Sequence, residues 1–179
     1  MDFSGISYLL EGSERHRSAF SLLLSLDVFG VFHSFEPILV GTFPINIDIE
    51  SSDLDIICSF DNAEDFKQKL IDSFGSFSGF EIRETMKHSG YSVIANFFVA
   101  DFEIEIFGQK TPSKEQYAYK HMLIEHALLQ KMGEEFRQEI IALKKQGFKT
   151  EPAFAKVLGL KGDPYEALLA LDHELCLLK

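Results

Sequence analysis

Two aspartates separated by one residue, Asp53 and Asp55, are the groups in this sequence best placed to do chemistry. They lie in the β-rich stretch of residues 40–58, where Leu54 and Ile56 alternate with them. Successive side chains of a strand point to opposite faces, so a strand here places both carboxylates on one face and both apolar groups on the other. The pattern predicts a strand that presents a pair of acids.

A second pair of acids occurs in residues 102–107, FEIEIF, where Glu103 and Glu105 alternate with apolar side chains. If the two strands are neighbours, Asp53, Asp55 and a third acid from FEIEIF share one face. Two carboxylates about 4 Å apart repel each other by ~4 kcal/mol at an effective dielectric of about 20, so such a group needs protons or a divalent cation. The stretch 53–58 contains no lysine or arginine, which favours the cation, and hard oxygen ligands suit Mg²⁺.

Gly41 and Thr42 follow the apolar run 38–40 and precede Asp53 by about twelve residues. A glycine there lets a phosphate approach the backbone closely, and the next N–H groups can bind an anion; a simple turn is the alternative. A small-residue pair after one strand, followed by Asp-x-Asp on the next, resembles the nucleotidyltransferase superfamily, which has the DNA polymerase beta-like fold.

This resemblance implies an α+β fold: a nucleotidyltransferase-like mixed β-sheet flanked by helices, with a helical C-terminal part. It also implies Mg²⁺-dependent transfer of a nucleoside monophosphate from a nucleoside triphosphate to a hydroxyl group. Catalysis and metal binding would fall to Asp53, Asp55 and Glu105, with Glu105 favoured over Glu103 as the third acid. Further residues expected at the nucleotide are Gly41, Thr42, Ser52 and Lys120, of which Lys120 is otherwise a surface lysine.

Four other segments extend the resemblance over nearly the whole chain: GSERHR, EIFGQ, QYAYKHMLIEHALL and GFKTEPAFAKVLGLKGDPY. They look like a small bacterial family of unknown function within the same superfamily. This second likeness strengthens the expected fold and adds little about the substrate.

The composition limits the expected partners. The 179 residues carry a formal net charge of −11, whereas binding to a phosphate backbone needs clustered lysine and arginine. We therefore expect a small-molecule or protein acceptor and no nucleic acid. Cys58 and Cys176 lack the spacing of a disulfide framework or a metal site, so Cys58 is expected to be a buried reduced thiol. With no secretory leader and no apolar run of about 20 residues, a cytoplasmic protein without membrane contact is expected.

Hydrophobic periodicity and turn residues predict the order of the elements. Ser13 is expected to cap a helix that reaches Leu26, and residues 61–62 to cap one that reaches Phe74. A tight turn at residues 89–90 joins two predicted strands, and Gly108 is expected to end the next strand.

From Ser113 onwards the pattern is helical, with predicted helices over residues 114–132 and 134–145, a short one from Thr150, and one from Asp163 to Leu178. We expect residues 1–108 to form the nucleotidyltransferase-like core. Residues 109–179 are expected to form a helical region packed on that core as one structural unit.

Two further interpretations remain beside the enzyme. One is a nucleotide-binding or regulatory module, such as half of a toxin–antitoxin-like pair, that keeps the fold without turnover. The other is an α/β domain whose Asp-x-Asp lies on a polar strand face. On the long helix, His121 and Glu125 are expected to form a structural pair rather than a catalytic dyad.

Overall fold

The computed structural model describes residues 3–87 and 90–172. The chain divides into two compact units. The first contains the described residues of Met1–Val40 and Asp53–Gln116, and the second contains those of Gly41–Ser52 and Tyr117–Lys179. The second unit thus includes a loop from the N-terminal half of the chain. The predicted domain boundary between residues 108 and 109 stays a prediction.

The first unit is built on a mixed sheet whose described strands are arranged in the order β1-β2-β5-β4-β3. The strands are β1 (Ile38–Val40), β2 (Leu54–Ser59), β3 (Ser78–Lys87), β4 (Gly90–Val99) and β5 (Phe102–Gln109). Strands β2 and β5 run parallel, whereas the other neighbouring pairs are antiparallel. The expectation that FEIEIF lies beside the Asp-x-Asp strand is confirmed.

The alternation of apolar residues decides which face of the central strands is buried. Leu54 pairs in register with Ile104, and Ile56 pairs with Ile106. All four side chains are at most 1% exposed. The acidic residues between them therefore project from the opposite face.

Helices α1 (Glu14–Ser25), α2 (Val28–Val31) and α3 (Ala63–Phe74) complete the regular helices of the first unit. Ser13 caps α1 by accepting a hydrogen bond from the His16 N–H, and Asn62 caps α3 by accepting one from the Glu64 N–H at 3.0 Å. Both caps satisfy N–H groups that a helix terminus leaves open, which confirms the two predicted starts.

Phenylalanine supplies much of the core of this unit. Phe74 of α3 stacks on Phe97 of β4 with ring centroids 4.7 Å apart, and on Phe32 at 5.6 Å. Phe66 packs edge-on against Phe32 at 5.9 Å. These rings join α3 to the sheet, which explains how a chain with 18 phenylalanines and no tryptophan fills its interior.

The prediction that Gly108 ends its strand is wrong. Gly108 lies inside β5 and pairs with Cys58 of β2. A Cβ atom at this position would lie 2.6 Å from Cζ of Phe66 and 3.0 Å from Cδ1 of Phe60. The glycine is required by the close approach of the aromatic rings and not by a turn.

The second unit contains helices α4 (Tyr117–Met132), α5 (Glu134–Lys145), α6 (Thr150–Leu158) and α7 (Pro164–Ala170). Phe136 of α5 and Phe154 of α6 are in edge-to-face contact at 5.6 Å. Asp163 caps α7 by accepting hydrogen bonds from the N–H groups of Tyr165 and Glu166, as predicted. The predicted end of this helix at Leu178 lies outside the described residues, and so does Cys176.

The predicted helix over residues 114–132 is interrupted. A short 3₁₀ helix (Ser113–Glu115) precedes Gln116, which has extended backbone angles, and α4 begins one residue later. The Gln116 side chain is 2% exposed and its Nε2 donates to the carbonyls of Cys58 at 2.8 Å and Thr111 at 2.9 Å. Two hydrogen bonds from its buried side chain thus hold Gln116 at the end of the first unit.

No helix in the part of the chain that the structure describes combines the length and the apolar character that crossing a bilayer requires.

Candidate functional site

Asp55 and Glu105 are partners in register on the adjacent parallel strands β2 and β5. Directly opposed residues of neighbouring strands point to the same side of a sheet. On the other side of β5, Asn96 of β4 is the partner of Glu105. We call this side of the sheet, which carries Asp55, Glu103, Glu105 and Asn96, the acid face.

Asp53 directly precedes β2, two residues before Asp55, and both side chains are partly buried. Glu103 is exposed, whereas the Glu105 side chain is 25% exposed. The structure therefore brings Asp55 and Glu105 together as neighbours across one strand pair and leaves Glu103 nearer to solvent. The catalytic and metal-binding roles of Asp53, Asp55 and Glu105 stay predictions.

Glu105 is turned towards β4 and β3 in this structure. Nη2 of Arg83, on β3, donates to Oε2 of Glu105 at 2.7 Å. Nδ2 of Asn96 lies 3.3 Å from the same oxygen and 3.3 Å from Oε1 of Glu103. Sequence reasoning missed Arg83, because the contact crosses the whole of β4 and leaves no local spacing that would indicate it.

The ion pair affects what the acid face can bind. Within residues 3–87 and 90–172, no group of three or more histidine, cysteine, aspartate or glutamate side chains is arranged to hold a metal ion. Asp55 lies on one side of Glu105 in the strand order, and Arg83 lies on the other. The guanidinium thus reaches Glu105 from the side of β5 opposite to the strand of Asp55.

The residues predicted to contact the nucleotide belong to the second unit. Gly41 follows the last residue of β1 and has a φ of 73°, a backbone conformation that favours glycine. Thr42 is buried, and its carbonyl accepts a hydrogen bond from the Ile47 N–H at 3.2 Å. The hydroxyl of Ser52 accepts one from the Ile49 N–H at 3.0 Å, and Lys120 lies partly exposed on α4. Their binding roles stay predictions.

Two cations of α5 hold the loop that follows Gly41. Nη1 of Arg137 donates to the carbonyls of Ile45 at 2.6 Å and Asn46 at 3.0 Å. Nζ of Lys144 donates to the Ile47 carbonyl at 2.9 Å and is itself buried. Sequence reasoning missed both, although a lysine four residues after Ile140, on the buried stripe of an amphipathic helix, is a signal that could have indicated it.

A buried group of ionisable side chains lies in the second unit. Glu125 is 3% exposed, and its pKa is raised well above the usual value, first by burial and then by the carboxylate of Glu151, while Lys144 partly offsets the rise. Within the described residues its Oε1 has no hydrogen-bond partner. Glu125 therefore favours the protonated form. Nε2 of His121 lies 3.0 Å from the Tyr165 carbonyl and its Nδ1 lies 3.9 Å from Glu151, so these partners differ from the predicted Glu125.

Cys58 is a free thiol that is fully buried in β2, as predicted. Burial in apolar surroundings raises the pKa of this thiol well above its ordinary value. The thiolate is thus disfavoured, and Cys58 belongs to the core and not to the site.

Solved structures with the same fold include RNA-modifying nucleotidyltransferases. A structure of Cid1, described with its RNA terminal uridylyl transferase activity, superposes with a TM-score of 0.54 at 13% identity over 78% of this chain and 45% of that one. A cytoplasmic RNA terminal U-transferase gives a TM-score of 0.51 at 15% identity over 78% of this chain and 43% of that one. A mutant of the Cid1 poly(U) polymerase bound to MgATP gives 0.52 at 15% identity over 95% and 55%.

These likenesses establish a nucleotidyltransferase-like α+β fold, as expected from the sequence. The chain spans about half the length of the polymerases that it matches. The prediction of no nucleic acid partner is wrong, because structures with this fold include enzymes that act on RNA. Net charge is a sum over the chain and does not report the local charges of one binding face.

A search of curated proteins found no match to this chain. A family model described as "Domain of unknown function (DUF4269)" matches residues 21–171, and the chain belongs to that family.

Proposed function

We propose that this chain transfers a nucleoside monophosphate from a nucleoside triphosphate to an acceptor hydroxyl in a Mg²⁺-dependent reaction. The observation that carries the proposal is that Asp55 pairs in register with Glu105 on one face of a nucleotidyltransferase-like sheet. Asp53 lies two residues before Asp55 in the chain. Two of the similar structures, both of the Cid1 poly(U) polymerase, were solved with Mg and a nucleotide, which supports the same cofactor.

The carboxylates of the acid face, together with the adjacent Asp53, fit a hard divalent cation. Asp53, Asp55 and Glu105 offer carboxylate oxygens, which are the ligands that Mg²⁺ prefers, and they lie at the edge of the buried region with access to solvent. Asp53 and Asp55 would hold the ion, and Glu105 would join them after its carboxylate leaves Arg83. Bound Mg²⁺ would supply charge neutralisation at the phosphate under attack and at the departing pyrophosphate.

The chain's own residues would then position the substrates and remove the proton of the acceptor hydroxyl. The acceptor oxygen forms a bond to the α-phosphorus, and the bond from that phosphorus to the oxygen bridging to the β-phosphate breaks. A carboxylate of the acid face, with Glu105 the first candidate, would accept the proton of the attacking hydroxyl, while pyrophosphate leaves with the bonding electrons. Positioning and electrostatic stabilisation dominate phosphoryl transfer of this kind, so the spacing of the acids matters more than their basicity.

The proposed nucleotide contacts follow from chemistry that the second unit offers. Gly41 leaves its backbone open to close approach by a phosphate. Thr42 would supply its hydroxyl group and backbone N–H, and Ser52, whose own N–H donates to the Ile49 carbonyl at 2.9 Å, would supply its hydroxyl group. The partly exposed Lys120 would supply a positive charge for the triphosphate.

We propose the class of acceptor from the comparisons with similar structures. RNA 3′ hydroxyls are the first acceptors to test, because two of the similar structures are described as RNA terminal transferases. Hydroxyls of small molecules and of protein side chains are the parallel arms of the test. Transfer to any of these acceptors supports the enzyme.

A specific observation favours the second candidate, a non-catalytic nucleotide-binding or regulatory module. Glu105, the proposed third acid, already accepts a hydrogen bond from Arg83 at 2.7 Å. Such an ion pair is expected in a protein that keeps the fold but has lost its catalytic activity. In that case a nucleotide would bind and no labelled nucleoside monophosphate would leave it.

A thermal unfolding measurement tests nucleotide binding directly. A ligand that binds only the folded state stabilises it by mass action, by about 2.7 kcal/mol at a hundredfold excess over Kd, which corresponds to a rise of about 5–10 °C in Tm. We expect this rise with Mg²⁺ plus at least one nucleoside triphosphate, and its loss in Asp53→Asn with Asp55→Asn. The charge-matched control is Asp61→Asn with Asp101→Asn, two exposed positions, which is expected to keep the rise. A wild-type Tm that no triphosphate changes would exclude both candidates.

A further inference from the structure

Arg83 contacts the acid face through Glu105, and the proposed reaction gives this arginine no role. Its guanidinium donates to Oε2 of Glu105 at 2.7 Å, and the two side chains are 49% and 25% exposed. Neither group is buried deeply enough to need the other for solvation. The ion pair therefore contributes little to stability, and its main effect is on the orientation of the Glu105 carboxylate.

The strand order shows from which side of β5 Arg83 reaches Glu105. Glu105 has Asp55 on the neighbouring strand β2, whereas Arg83 reaches it from β3, two strands away on the opposite side. Neighbouring strands are about 4.8 Å apart, so contacts with side chains of β3 and β4 favour an orientation of the Glu105 carboxylate towards those strands and not towards β2. Asn96, between them on β4, adds a contact of 3.3 Å to the same oxygen and so holds the same orientation.

A guanidinium and a divalent cation compete for the same electrons of a carboxylate. Both are stabilised by its negative charge, and a metal ligand shared with Asp55 has to lie on the β2 side of Glu105. This agrees with the finding that no three-ligand group is assembled among the described residues.

We propose that Arg83 is a positioning residue that holds Glu105 away from the cation bound by Asp53 and Asp55, so that the third acid joins the site only when Arg83 lets it go. The inference rests on the proposed function, since it needs a divalent cation at the acid face. A phosphate group is the natural competitor for the guanidinium, because arginine binds phosphate and carboxylate with the same planar donors. The site is then completed by substrate and is incomplete without it.

The test is a titration of the purified full chain with Mn²⁺, followed by electron paramagnetic resonance of the free ion, with no nucleotide present. A half-exposed ion pair holds its partners modestly, so we expect Arg83→Gln to tighten Mn²⁺ binding about two- to fivefold. Arg83→Lys, which keeps the charge, is expected to remain close to the wild type. Adding Glu105→Gln to Arg83→Gln is expected to remove the gain.

The control for a general charge effect is Lys110→Gln at an exposed position of the same unit, which removes one positive charge without touching Glu105. If Arg83→Gln binds Mn²⁺ no more tightly than Lys110→Gln, or if the gain survives Glu105→Gln, the inference is overturned. Failure of the proposed function has a different result: Mn²⁺ binding would then be the same in the wild type and in Asp53→Asn with Asp55→Asn.

Discussion

The two glutamates of β5 differ in what surrounds them, although they share one strand face. Glu105 has Asp55 directly opposite on β2 and is partly buried, whereas Glu103 is exposed and pairs with Phe98 of β4. The resemblance to the nucleotidyltransferase superfamily favoured Glu105, which lies just before the apolar end of the strand. The register adds a physical reason, which is the proximity of its backbone to that of Asp55.

This difference predicts which glutamate the nucleotide site needs. Glu105→Gln is expected to abolish most of the stabilisation by Mg²⁺ and nucleoside triphosphate, because it removes a carboxylate from the acid face. Glu103→Gln is expected to keep it. Thermal unfolding of the two variants, with and without the ligands, measures this stabilisation in two proteins of the same net charge. A loss in Glu103→Gln alone would reverse the assignment.

Glu125 predicts a pH dependence of stability. Its folded-state pKa is raised well above 4.5, so the folded chain binds a proton that the unfolded chain has lost. As the pH rises from the ordinary glutamate pKa towards the folded-state pKa, the free energy of unfolding falls, by up to about 1.4 kcal/mol per pH unit. Glu125→Gln cannot ionise, and is expected to exceed the wild type in stability by a margin that grows with pH between the ordinary glutamate pKa and the raised folded-state pKa.

Urea unfolding of both proteins at a series of pH values measures this margin. Glu139→Gln, at an exposed position of α5, is the matched control and is expected to follow the wild type. A margin that stays constant with pH would show that Glu125 is ionised in the folded chain.

At the scale of elements, alternation and capping predicted most of the first unit. Strands β2 and β5 follow from apolar residues at every second position, and α1 and α3 follow from the cap residues Ser13 and Asn62. These signals are local in sequence, so they can be read without knowing the neighbours.

The predictions that failed depended on contacts between elements. In the sequence, Gln116 fits the helical pattern of the residues around it. Only the hydrogen bonds from its buried side chain to the carbonyls of Cys58 and Thr111 explain why α4 begins after it. The pair of Arg83 with Glu105 spans three strands and has no sequence spacing. The acidic residues of the site could be predicted, and the side chain that now binds one of them could not.

Gly108 gives a prediction about the packing of α3 on the sheet. Gly108→Ala would place a methyl group within 2.6 Å of Phe66, so the ring has to move. Overpacking of this kind costs about 1–3 kcal/mol, and urea unfolding is expected to show that loss. Adding Phe66→Leu to Gly108→Ala is expected to cost less than the sum of the two single changes, because both act on one space. Strict additivity would contradict the close approach.

At the scale of the whole molecule, the chain consists of two compact units, and it matches about half of the length of the polymerases that share its fold. The acids lie in the first unit, whereas Gly41, Thr42, Ser52 and Lys120 lie in the second. A net charge of −11 does not oppose nucleotide binding, because a nucleotide needs only a few local cations and a metal ion.

The most direct measurement is transfer of label from α-³²P nucleoside triphosphates, with Mg²⁺, to RNA oligonucleotides, to a pool of small hydroxyl compounds and to protein. We predict Mg²⁺-dependent label in one of these acceptors together with release of pyrophosphate. In Asp53→Asn with Asp55→Asn we expect a rate lower by about two orders of magnitude or more. Binding of triphosphate without transfer to any acceptor, or transfer that the double substitution leaves unchanged, would contradict catalysis by the acid face.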